Sequence, residues 1–99
     1  MSDGEPEPRD RPVRRVLTIR NRRGLHARAA AKFVKCAEMF DAEITVLKAD
    51  LTVSGCSIMG LMMLAAAPGS KIELVARGIE ARAAVEAIAK LVKNRFDED

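Results

Sequence analysis

The chain has 99 residues, 48% of them hydrophobic, which is enough for one domain with a single core and leaves no room for a second. No apolar run approaches the ~20 residues that span a bilayer, and the polar N-terminus lacks a charged-then-apolar leader, so a cytoplasmic protein with no membrane contact is expected. The formal net charge of +3 conceals an asymmetry: residues 1 to 40 carry ten Lys/Arg and five Asp/Glu, whereas the remainder carries seven and nine. A basic half of this kind suits either nucleic acid or acidic protein partners. With no Trp or Tyr, and with Phe33, Phe40 and Phe96 all on helical patterns, no sheet-borne platform for stacking bases is visible. Cys36 and Cys56 fit no metal-ligand spacing and would make a meagre disulfide framework. They are expected to be reduced thiols packed as small hydrophobes, and no metal or cofactor is expected.

Residues 1 to 12 hold three of the four prolines and almost nothing to bury, which predicts a disordered tail. From Val13 the chain alternates: Val13, Leu17 and Ile19 share one face and Arg14, Thr18 and Arg20 the other, the pattern of a half-buried strand that Val16 interrupts. Asn21 to Gly24 read as a polar loop, with Gly24 free to take positive φ where the chain turns into a helix. Over 27–40, Ala30, Phe33, Val34, Ala37 and Phe40 recur at spacings of three and four, so one helical stripe faces the core. Ile44 and Val46 mark a second strand and Leu51 to Val53 a third, joined by a short turn at 48–50 that lacks an Asn-Gly or Asp-Gly signal.

Ser57 is a good N-cap for a short helix over 58–64, in which Leu61 and Leu64 can face inward. Ile58, Met59 and Met62 then share another face. They form either a flexible contact patch for several partners or simply core filler. Pro68-Gly69-Ser70 is a turn, Lys71 to Arg77 alternates as a fourth strand, and Gly78 closes it. A strong amphipathic helix over 80–96 follows, with Ala81, Ala84, Val85, Ile88, Leu91 and Val92 on one stripe, before the acidic end 97–99. The order strand, helix, strand, strand, helix, strand, helix predicts an α+β two-layer sandwich: one mostly antiparallel sheet with helices on a single face.

The chemistry concentrates in Arg22-Arg23-Gly24-Leu25-His26-Ala27-Arg28. The only histidine sits where a helix begins, next to free backbone N–H groups and the positive end of the helix dipole, and Arg28 could add a guanidinium fork. An anion on the ring would be held there, which points to His26 as a phosphoryl acceptor. A bland alternative is a surface or capping histidine. A phosphoryl group on a histidine nitrogen is held by a more labile bond than the ester a hydroxyl would form.

Two stretches, Gly24-Leu25-His26-Ala27-Arg28-Ala29-Ala30 and Ser57-Ile58-Met59-Gly60-Leu61-Met62, resemble the two motifs of the HPr family. These are the histidine-containing phosphocarriers of the bacterial phosphoenolpyruvate-dependent phosphotransferase system. The resemblance covers residues 13 to 96, leaving 1–12 as a tail and 97–99 as an acidic end. It implies an open-faced sandwich of a four-stranded antiparallel sheet and three helices in the order βαββαβα. It implies that His26 is phosphorylated by enzyme I, that Arg28 supports the phosphoryl group, and that enzyme IIA-type proteins are the acceptors. Ser57 matches a serine modified by a dedicated HPr kinase/phosphorylase, and Ala31, Lys35, Ile58, Met59 and Met62 match partner-contact positions. The chain is expected to act as a monomer, as a phosphoryl carrier and not a stand-alone enzyme.

Two departures from the family pattern leave the reacting groups in place. Ala29 replaces a proline in the first helical turn and adds an N–H there, and Ala49-Asp50 replace a glycine-containing hairpin turn. Two other readings remain open: a small nucleic-acid-binding module built on Arg14, Arg15, Arg20, Arg22, Arg23 and Arg28, and a mainly regulatory protein of the nitrogen-related branch.

Overall fold

Alternation along the strands and the stripes along the helices leave one apolar face on each element, and the computed structural model, which describes residues 11–98, brings those faces together. The elements are β1 (Val13–Thr18), α1 (Ala27–Ala37), β2 (Glu43–Lys48), β3 (Leu51–Ser54), α2 (Ile58–Met63), β4 (Lys71–Arg77) and α3 (Ala81–Lys93). The four strands form one antiparallel sheet in the order β1-β4-β2-β3. Ile72, Leu74 and Ala76 of β4 meet Ile44 and Val46 of β2, and the buried stripes of α1 (Ala30, Phe33, Val34, Ala37) and α3 (Ala81, Ala84, Val85, Ile88, Val92) join them in a single core. This is the open-faced α+β sandwich anticipated above. The tail predicted for 1–12 lies almost wholly outside the described residues.

Register explains Val16. Opposite residues share a face, so Val13, Arg15 and Leu17, which pair with Ala76, Leu74 and Ile72, point to the helices. Val16 pairs with Glu73 on the open face and is exposed. Arg15 takes an inward position at the sheet edge and is met there by Glu86 of α3 at 2.5 Å.

Three expectations change. The helix predicted over 27–40 ends at Ala37, with the Glu38 N–H closing the last α-helical bond, to Val34. Met39 and Phe40 close tighter bonds to Cys36 and Ala37, which keeps Phe40 half-buried on the same stripe without continuing the α-helix. The helix predicted over 80–96 ends at Lys93, and Arg95, Phe96 and Asp97 follow at φ 58°, 54° and 61°, a single left-handed 3-10 turn. Phe96, which the sequence placed on the helix but not on its buried stripe, is fully buried, and the reversal of hand that brings it into the core leaves no mark in the spacing of apolar residues. Finally, Cys36 is half-buried, and burial pushes its thiol above the usual range, but Cys56 is exposed, not packed. Both are free, and the described residues contain no group of side chains able to hold a metal. No helix among them is long and apolar enough to cross a membrane.

The hairpin turn without a glycine forms nonetheless. Lys48 pairs with Leu51, and Ala49 takes φ 53° between them. A left-handed alanine costs about 1 kcal/mol or more, which is small against the ladder it closes.

Candidate functional site

The loop that delivers His26 is built by backbone contacts only glycine permits. Gly24 has φ +68°, and a Cβ there would lie 2.3 Å from the carbonyl oxygen of Ala66. That close approach lets Leu25 donate its N–H to Ala66 at 2.9 Å and bury its side chain, which anchors the residue before the histidine to the segment after α2. His26 follows as the N-cap of α1, with φ −76° and ψ 178°. Its carbonyl accepts from Ala30 at 2.8 Å, but its side chain caps nothing. The N–H groups of Ala27, Arg28 and Ala29 therefore have no acceptor among the described residues and remain available at the positive end of the helix.

Asn21 ties this loop together. The sequence pattern placed it in a polar loop, yet it is completely buried. Its Nδ2 donates to the Gly24 carbonyl at 2.7 Å and to Glu98 Oε1 at 3.1 Å, while Gly24 returns its own N–H to the Asn21 carbonyl at 3.2 Å. Both side-chain partners are acceptors, so the amide can face them only with its nitrogen. Its Oδ1 is buried without a partner, at a cost of about 1–3 kcal/mol that the two donated bonds must outweigh.

Glu98 is the residue that sequence reasoning missed. It was assigned to an acidic end apart from the domain, but the left-handed turn at Arg95–Asp97 folds the chain back so that Glu98 Oε2 meets His26 Nε2 at 2.7 Å. Phe96, fully buried, pins the turn, and Lys32 of α1 donates to the Phe96 carbonyl at 2.6 Å. Partial desolvation pushes the Glu98 carboxyl up, but hydrogen bonds from His26 and Asn21 and the nearby charges of His26 and Lys32 outweigh it, leaving the group below the usual carboxylate range. A contact spanning 72 residues gives no local signal, although an acidic residue two positions beyond an apolar anchor is the kind of feature that could have flagged it.

Arg22, Arg23, His26, Arg28 and Glu98 line one shallow cavity of about 220 Å³. The Arg28 guanidinium is exposed and makes no hydrogen bond or ion pair with any described residue. Arg28 also borders a second, more apolar groove between α1 and α2, lined with Ala31, Lys32, Val34, Lys35, Glu38 and Ile58. The structure thus brings Ala31, Lys35 and Ile58 together beside the histidine site. Met59 and Met62 are 71% and 40% exposed, which excludes the reading of these side chains as core filler, while Leu61 and Leu64 face inward as anticipated. Ser57 caps α2, its Oγ accepting from the Gly60 N–H at 2.9 Å.

An α+β sandwich that presents one partly exposed histidine at a helix N-terminus, flanked by unpaired arginines and an apolar groove, has the makings of a protein that carries an anionic group between partners. Comparison with known proteins narrows this. Residues 13–94 match the family model described as the PTS HPr component phosphorylation site. The chain is 45% identical over 86 residues to the phosphocarrier protein NPr of Shewanella violacea, covering 87% of this chain and 94% of that one. It is equally 45% identical over 86 residues to the phosphocarrier protein HPr of Neisseria meningitidis serogroup A, covering 87% and 97%. Among solved structures, HPr-C-His from Thermoanaerobacter tengcongensis superimposes with a TM-score of 0.84 at 37% identity, over 88% of this chain and 98% of that one. The chain belongs to the HPr family of the phosphotransferase system.

Proposed function

We propose that this chain is a cytoplasmic phosphocarrier that takes a phosphoryl group from phosphorylated enzyme I on His26 and passes it to an enzyme IIA-type acceptor. The observation that carries the reading is the placement of the His26 ring beside three unpartnered N–H groups of α1 and the unpaired Arg28 guanidinium. A ring nitrogen attacks phosphorus, the bond to the donor breaks with its electron pair on the donor, and the dianionic group comes to rest where fixed donors already point. Positioning and charge stabilisation account for most of the catalysis in phosphoryl transfer, so a carrier needs little machinery beyond this. The groove between α1 and α2, with Ala31, Lys35 and Ile58 and the exposed Met59 and Met62, supplies an adaptable apolar surface on which successive partners can dock around the same histidine as a monomer.

Incubation with phosphoenolpyruvate and enzyme I should add one acid-labile phosphoryl group, and His26→Ala should abolish it. Arg28→Ala should slow transfer about tenfold or more, the worth of one charge-assisted contact. Full labelling of His26→Ala would overturn the reading. The resemblance to a protein named NPr favours the nitrogen-related branch as a second reading of the downstream acceptor, and a panel of acceptor proteins offered to the labelled chain separates the two. Ser57 adds control: a phosphate on its Oγ, installed by an ATP-dependent kinase, would set about −1.5 to −2 charges beside Ile58, Met59 and Met62 and weaken docking there.

A further inference from the structure

One side of the sheet ends on β1, which pairs with β4 and, among the described residues, with no other strand. An edge strand of six residues offers a row of backbone N–H and C=O groups to an incoming chain. Beside that edge, β1 and the C-terminal half of α3 enclose a cavity of about 320 Å³ that shares no residue with the His26 cavity or with the groove between α1 and α2. Val16, Leu17 and Val92 give it an apolar lining, and Val16 is 58% exposed. Its charge is one-sided: Arg15, Arg20 and Lys93 line it, and no carboxylate does. Glu86 neutralises Arg15 from outside the cavity. Arg20 and Lys93 are exposed and make no hydrogen bond or ion pair with any described residue.

These features select among occupants. A second copy laying its own β1 against this one would crowd Arg14, Arg15 and Arg20 of both copies into one seam, where like charges oppose each other. Nucleic acid would find cations for its phosphates but no aromatic ring on which to stack a base, and would leave the strand edge unpaired. A peptide with carboxylates satisfies both the edge and the charge. Its backbone completes the ladder, an aliphatic side chain settles on Leu17 and Val92, and its carboxylates meet Arg20 and Lys93. We infer that this edge is a docking site for an extended acidic segment of a partner protein, which joins the four-stranded sheet as a fifth strand beside β1. The inference is independent of the phosphocarrier reading. Because the cavity is separate from that of His26, a segment bound there holds the chain while the histidine stays open.

A capped peptide of alternating Glu and Val, matched to the six residues of β1, is the probe. Added to the full chain, it should shift the amide resonances of β1 and of 89–93, leave those of α2 unmoved, and slow amide exchange along β1. Arg20→Glu combined with Lys93→Glu, two exposed positions outside the core, should weaken binding about tenfold or more. Raising the salt from about 0.05 M to about 0.5 M should also weaken it severalfold. The same peptide methylated on every amide nitrogen should not bind, since it cannot complete the ladder. Equal binding of a peptide of alternating Lys and Val, tighter binding of a single-stranded oligonucleotide, or shifts confined to the groove between α1 and α2 would overturn the inference. So would wild-type affinity in the charge-reversed variant, a chain already dimeric through β1, or binding only after removal of residues 1 to 10, which would give the edge to the chain's own N-terminal segment.

Discussion

Lys32 Nζ donates to the carbonyl oxygen of Phe96 at 2.6 Å, joining the second turn of α1 to a left-handed turn 64 residues later. Three successive non-glycine residues at positive φ cost about 1–2 kcal/mol each, so the turn persists only because other contacts offset it. The fully buried Phe96 ring, worth up to about 3 kcal/mol, is the largest of these. Phe96→Ala should therefore lower stability by about 3–5 kcal/mol and also free the residues after Lys93. Amide hydrogen exchange at 94–98 should rise far more than at β4. Equal loss of protection in both regions would mean that the turn is not a separately held unit.

Gly24→Ala combines two penalties, a left-handed alanine and a Cβ driven to 2.3 Å from a backbone oxygen that cannot move aside freely. A loss of more than about 1 kcal/mol is expected from the conformation alone, with the clash added to it. Since Leu25 is anchored to Ala66 through the same approach, the His26 ring should shift and phosphoryl acceptance should fall along with the melting temperature. A variant that melts like wild type would show that the 24–26 loop has room to relax.

The lowered carboxyl of Glu98 carries a pH signature. A group whose folded pKa lies below its unfolded value of about 4.5 contributes its full stabilisation above that value and loses it as pH falls through the folded one. The melting temperature of wild type should exceed that of Glu98→Gln by a constant margin at pH 5, and the margin should shrink as the solution is acidified below 4.5 and vanish once the folded carboxyl is protonated. A margin that widens on acidification would reverse the sign assigned to this contact.

Ser57 separates a cap from a switch. Removing its Oγ in Ser57→Ala deprives Gly60 N–H of its acceptor and should cost about 1 kcal/mol. Ser57→Asp keeps an acceptor at the cap and should hold the stability. Its new charge next to the exposed Ile58 and Met59 should nevertheless raise the apparent KM for enzyme I. Wild-type kinetics for Ser57→Asp would leave the cap as the whole of its role.

Much of this molecule was written in local pattern. Alternation in Lys71–Arg77 predicts β4 to the residue, and the stripe from Ala81 to Val92 predicts the body of the last helix though not its end at Lys93, because each element obeys the period of its own backbone. His26 and Arg28 stand out because a glycine, a histidine and a helix start fall together in seven residues. Asn21 and Glu98 did not stand out. One is a polar residue buried by a tertiary bond, and the other reaches its partner only through a turn of the wrong hand built without glycine, so neither leaves a periodic or compositional trace.

The strand order β1-β4-β2-β3 fixes a sequence of events as the chain is made. The β2–β3 hairpin can close as soon as Ser54 has emerged, but β1 has no neighbour in the sheet except β4, and β4 is complete only at Arg77. For most of synthesis the first strand must wait with its ladder groups unpaired, and the loop that finally brings Val13 opposite Ala76 encloses nearly the whole sheet. Such long closures slow folding to the middle of the range for small mixed α/β domains and make arrival of β4 the step that commits the chain.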